Sequence, residues 1–78
     1  MKHGRTDYDE RIQDKAAIIP EDEPVFLIRG QDRLAARMVR HYADLLEGLG
    51  EPFDRVEKIR QHALTVHNWR PKKTPDVP

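Results

Sequence analysis

The sequence predicts a mainly α fold: an αα-hairpin, preceded by a short extended apolar segment and an acidic N-terminal arm, assembled as a symmetric homo-oligomer. Three observations carry that expectation. Leu34, Met38, Tyr42, Leu45 and Leu49 recur at helical spacing, with Ala35, Val39 and Leu46 widening the stripe. A second stripe, Phe53, Val56, Ile59, Ala63 and Val66 with Leu64 alongside, follows a break of about four residues, short enough to require antiparallel neighbours. The 78 residues include no cysteine, so neither a disulfide nor a thiolate metal site supports so small a core, and oligomerisation is the remaining support.

Residues 1 to 23 form the acidic arm. Residues 1 to 32 carry five Lys/Arg against eight Asp/Glu and the rest carry nine against six, so the zero formal net charge conceals an acidic start and a basic helical part. Tyr8, Ile12, Ala16 and Ile19 permit a short amphipathic helix from about Asp7 to Ala17, ended by Pro20. Two or three turns do not hold a helix in water, so the arm is expected to be ordered only where it lies on something else. Glu21, Asp22 and Glu23 between two prolines read as a linker.

Residues 24 to 70 read as the hairpin domain with its leading extended segment. Val25 to Arg29 follows Pro24, is β-branched and aromatic, and stops at Gly30. Four consecutive apolar residues suggest burial on both faces, and no second strand is legible. The segment is therefore expected to pair with its symmetry mate or to pack irregularly over helices. Val25, Phe26, Leu27, Ile28, Leu34 and Met38 are the expected oligomer interface. Asp32 suits the N-cap of the first helix and Gly48 or Gly50 its C′ position. Pro52 opens the second helix, with Asp54 and Glu57 near the positive end of its dipole, and Pro71 closes it. Residues 71 to 78, with three prolines, read as an extended or disordered tail.

The longest apolar run is four residues, far short of a membrane span, and no signal-peptide core is visible, so the expected location is a reducing cytoplasm. Zero net charge is not the composition of a general nucleic-acid binder. Of the histidines 3, 41, 62 and 67, His62 and His67 stand five apart and diverge around a helix, so no metal centre and no cofactor are expected. Thr6, Thr65 and Thr74 are the only hydroxyl nucleophiles apart from the tyrosines, and so small a core holds no deep pocket, so the chain does not read as an enzyme.

The best functional candidate is the junction Arg29-Gly30-Gln31-Asp32-Arg33. A glycine turn feeding a helix start leaves backbone N–H groups to receive an anion, and Arg29 and Arg33 add fork-shaped donors. Arg37 and Arg40 continue the arginines along the helix. The competing reading is a solvated face neutralised by the chain's own acidic arm, with Asp32 already occupying the N-cap. Trp69 and Tyr8 are candidate stacking surfaces for a base, Tyr8 as part of a lid; buried, Trp69 would simply close one end of the hairpin.

The stretch EDEPVFLIRGQDRLAARMVRHYADLLEGLG resembles small uncharacterised proteins encoded by phages and prophages, which share Glu-Pro-Val-Phe, two apolar residues, Arg-Gly/Ala-Gln-Asp, and then an arginine-bearing amphipathic helix. The resemblance covers about Glu21 to Trp69 and carries no activity with it. It implies a product that binds and blocks, or sequesters, rather than catalyses. The expected partner besides a second copy is a host protein or an anionic small molecule. Two further readings stand beside sequestration: an inhibitor of a host polymerase or nuclease whose acidic arm imitates nucleic acid, and a structural accessory.

Overall fold

Residues 1 to 74 are described by a computed structural model, in which the chain divides into one unit ending at Ile28 and another beginning at Arg29. The expectation for the tail therefore lies outside the described residues from position 75 on.

The first unit is built on a parallel pairing of β1 (Lys2–His3) with β2 (Pro24–Val25). Lys2 N–H donates to the Glu23 carbonyl at 2.8 Å and Gly4 N–H to the Val25 carbonyl at 2.9 Å. The extended segment thus has a strand partner within its own chain, contrary to the expectation that none exists. A two-residue strand is too short to show a period-2 pattern. The segment lies with the arm instead of heading the hairpin, and Phe26, Leu27 and Ile28 remain exposed instead of buried on both faces. The Phe26 ring covers Gly4 so closely that a Cβ there would stand 2.8 Å from its Cδ2.

The expected helix from Asp7 to Ala17 is a single turn, α1 (Tyr8–Arg11). The chain turns extended at Ile12, whose carbonyl lies 2.8 Å from His3 Nε2, and Ala17 takes a positive φ of 54°. Since a carbonyl only accepts, His3 carries its proton on Nε2, which leaves the buried Nδ1 without a partner. Tyr8 is buried, with the His3 ring edge-on at 6.0 Å and the guanidiniums of Arg5 and Arg11 at 5.0 and 5.4 Å from its ring centre. The arm therefore has a small core of its own.

The second unit is the predicted hairpin, α2 (Ala35–Gly48) packed on α3 (Phe53–Asn68). Its turn is a Schellman motif: Gly50 N–H donates to the Glu47 carbonyl at 3.0 Å and Glu51 N–H to the Leu46 carbonyl at 3.2 Å. Gly50 has φ +82°, so it, and not Gly48, is the C′ glycine. Pro52 stands just before α3, where its carbonyl accepts the N–H groups of Arg55 and Val56.

The seam between the helices differs from the expected one. Ala35, Ala36 and Ala43 of α2 and Val56 and Ala63 of α3 are buried, with Val39, Leu46, Ile59 and Val66 half-buried around them. Leu34, Met38, Tyr42, Leu45 and Leu49, the stripe that predicted the helix, are 47, 46, 56, 55 and 81% exposed. Phe53 and Leu64 of the second stripe are also exposed. At about 100° per residue the leucine stripe and the alanine stripe of α2 are centred roughly 100° apart. The hairpin closes on the alanines because small side chains let two helix backbones approach, while α3 offers Val56 and Ala63 to fill the remaining space.

Candidate functional site

The junction ahead of α2 is folded against the chain's own C-terminal segment. Asp32 and Lys73 form a parallel bridge, in which Lys73 N–H donates to the Gln31 carbonyl at 2.7 Å and Arg33 N–H to the Lys73 carbonyl at 3.1 Å. Asp32 N–H donates to the Arg29 carbonyl at 3.0 Å, Leu34 N–H to Asp32 Oδ1 at 2.7 Å, and Ala35 N–H to the Asp32 carbonyl at 3.1 Å. Four successive N–H groups, Asp32 to Ala35, are thus satisfied internally. The carbonyls of Gly30 and Gln31 are taken up by Lys72 and Lys73, and α2 starts at Ala35 instead of Asp32. Asp32 acts earlier than a helix N-cap does, by closing the turn.

Lys72 anchors this arrangement. Its ammonium donates to the Gly30 carbonyl at 2.7 Å and to the Val66 carbonyl in the last turn of α3, where a cation complements the negative end of the helix dipole. Trp69, the C-cap of α3, lies on Gly30: a Cβ built there would stand 3.3 Å from the indole Cδ1. Trp69 is 59% exposed, so only part of its indole is covered and it does not close the hairpin as a buried plug. A side chain at position 30 would require the indole to give by a few tenths of an ångström.

The arginines divide into two groups. Arg5 and Arg11 pair with Asp7, Arg55 with Glu51, and Arg70 donates to the carbonyls of His67 and Trp69. Arg60 crosses between the helices to Asp44 at 3.0 Å and Glu47 at 3.2 Å, and these carboxylates hold its guanidinium above its ordinary pKa. Arg29, Arg33, Arg37 and Arg40 are exposed, and their guanidiniums make no hydrogen bond or ion pair among the described residues. Arg37 and Arg40 fall within about 60° of one another around α2, and Arg33 stands just ahead of its first turn.

A groove of about 320 Å³ lies between the helices on the Arg60 side, lined by Arg40, Asp44, Glu57, Arg60, Gln61, Ala63 and Leu64. Its two guanidiniums face two carboxylates, so it has no net pull on an anion. Among the described residues no group of three His, Asp or Glu side chains could hold a metal ion, and no helix is long and apolar enough to cross a membrane.

No family model, curated protein or solved structure matches the chain. What can be said of its site therefore comes from its own residues.

Of the residues the sequence suggested, the fold brings Trp69 to Gly30 at the centre of the Arg29 to Arg33 turn, with Arg37 and Arg40 continuing along α2. Tyr8 is buried in the core of the other unit. Lys72 and Lys73 escaped the sequence reading because they sit in a proline-rich stretch. Their one legible signal is a lysine pair just beyond a helix C-terminus, where unsatisfied carbonyls attract cations.

Proposed function

We propose that this chain is a small binding protein of phage type that neutralises a host defence or host factor by sequestering a nucleotide-like anion, and that it acts without catalysis. The observation that carries this reading is the indole of Trp69 lying on Gly30, in a turn whose flanking guanidiniums, Arg29 and Arg33, have no partner among the described residues. An aromatic ring with exposed surface offers a stacking platform for a base, and free guanidiniums offer bidentate donors to phosphate oxygens. Arg37 and Arg40 would extend the contact for a ligand with more than one phosphate. Because the N–H groups from Asp32 to Ala35 are already used, the ligand is held chiefly by side chains, and its affinity should fall steeply with salt.

Trp69 is the single tryptophan, so its fluorescence reports on this site directly. Titration with mono- and dinucleotides of adenine and guanine should give saturable quenching that is lost in the double variant Arg29→Ala, Arg33→Ala. Inorganic phosphate alone should leave the emission unchanged. If no nucleotide quenches the emission, the sequestration reading fails.

A second reading is favoured by the exposed run Glu21, Asp22 and Glu23, whose carboxylates make no side-chain contact among the described residues. It would serve a protein-interaction inhibitor that imitates nucleic acid. Charge reversal at these three positions would abolish such an activity and leave nucleotide quenching intact. In either reading the homo-oligomer expected from the thin core remains part of the proposal, with Val25 to Ile28 as one candidate contact.

A further inference from the structure

We infer that the bare face of α2 is the interface of a symmetric homodimer in which two α2 helices pack antiparallel. The face is continuous, since Leu34, Met38, Tyr42, Leu45 and Leu49 fall within about 80° of helix surface and run about 22 Å along it. Each of the five is between 46 and 81% exposed. A helix face this apolar, on a chain otherwise rich in charge, is a surface that expects a cover.

The spacing of the face selects a second copy as that cover. A two-fold interface must be self-complementary, so that when residue i meets residue j, residue j also meets residue i. Counting outward from the midpoint between His41 and Tyr42, Met38 and Leu45 stand at equal distances, and so do Leu34 and Leu49. In an antiparallel pair centred on that midpoint Leu34 therefore meets the partner's Leu49, and Met38 meets the partner's Leu45. The two Tyr42 rings approach across the axis. A parallel pair would gain nothing from this symmetry of spacing.

The area is of the right order. Five side chains about half bare leave on the order of 500 Å² per protomer, or roughly 1,000 Å² across the pair, the lower limit for a specific contact. The dimer is accordingly expected to dissociate in the micromolar range, on the order of 10 µM. In such a pair the same flank of each helix lies on the same side, so Arg37 and its neighbours from both protomers border one surface. The dimer does not depend on those arginines binding anything.

The full-length chain sedimented between about 1 and 500 µM should pass from monomer to dimer. Leu45→Glu should leave it monomeric throughout, whereas Leu64→Glu, an equally exposed leucine on the groove side, should leave the transition in place. Circular dichroism establishes that both variants are folded. Because the chain has no cysteine, single substitutions read the orientation cleanly. Tyr42→Cys should cross-link to itself on oxidation. Leu34→Cys should not, but should cross-link when mixed with Leu49→Cys. A wild-type monomer at the highest concentration, a dimer indifferent to Leu45→Glu, or efficient self-cross-linking of Leu34→Cys would each overturn the proposal.

Discussion

Two faces of α2 stand side by side and meet opposite fates. One carries Ala35, Ala36 and Ala43 and is sealed against Val56 and Ala63; the other carries Leu34, Met38, Tyr42, Leu45 and Leu49 and is bare. By hydrophobicity alone the second face should have been the core. The hairpin closes on the first because a short connection holds the helices close, and close approach rewards small side chains at the point of contact. The difference teaches that the most apolar face of a helix is not necessarily the one its own chain buries. In a small protein, the larger residues can be left for an interaction outside the chain.

The comparison can be broken most directly on the alanine side. Ala43→Leu places extra methylenes where Ala43 has no exposed surface, and should destabilise the second unit by about 2 kcal/mol, read from the midpoint of urea unfolding. Gly50→Ala should cost about 1 kcal/mol in the same assay, because φ +82° strains any residue with a Cβ and the Schellman turn that spaces the two helices depends on it. On the bare side, Leu45→Gln should change unfolding by less than about 0.5 kcal/mol at concentrations where the chain is monomeric. A larger loss there would mean that the leucine face is already covered within the monomer.

Two smaller effects sharpen the picture. Arg60→Ala removes the guanidinium that ties Asp44 and Glu47 of α2 to α3 and should lower the unfolding midpoint modestly; the effect should shrink in concentrated salt, as expected of an exposed ion pair. In the first unit, Asp14 has its pKa lowered chiefly by accepting the Ile19 N–H at 2.6 Å. A depressed carboxylate stabilises the fold above its unfolded value of 3.8 and loses that contribution as pH falls through the lower folded value. Asp14→Asn should therefore lower stability modestly at neutral pH and converge with wild type well below about pH 4, which flattens the acid limb of the stability profile.

The hairpin was legible because its signals are local. The break near Leu49 to Glu51 follows from spacing, and a glycine was expected there, although the choice of Gly50 over Gly48 came from the structure. The candidate site was legible only in part. Arg29, Arg33, Arg37 and Arg40 were found by type and spacing, and they are the arginines without partners among the described residues. The closure of the Gly30 turn by Lys72 and Lys73 was not legible, since it joins segments some forty residues apart and ends on backbone carbonyls, which carry no side-chain signature. The same holds for the pairing of Lys2–His3 with Pro24–Val25, and for the burial of Tyr8 between His3 and two arginines.

By itself, then, the sequence determined that two helices form a hairpin and about where the chain turns between them, because that depends on residues within a few positions of one another. Tertiary structure alone decided which of two apolar faces of α2 is sealed, which N–H groups remain for a ligand, and that the acidic arm has a core of its own. Each of those outcomes depends on the shape of a distant segment. Periodicity reports only the direction in which a side chain points, not what comes to meet it.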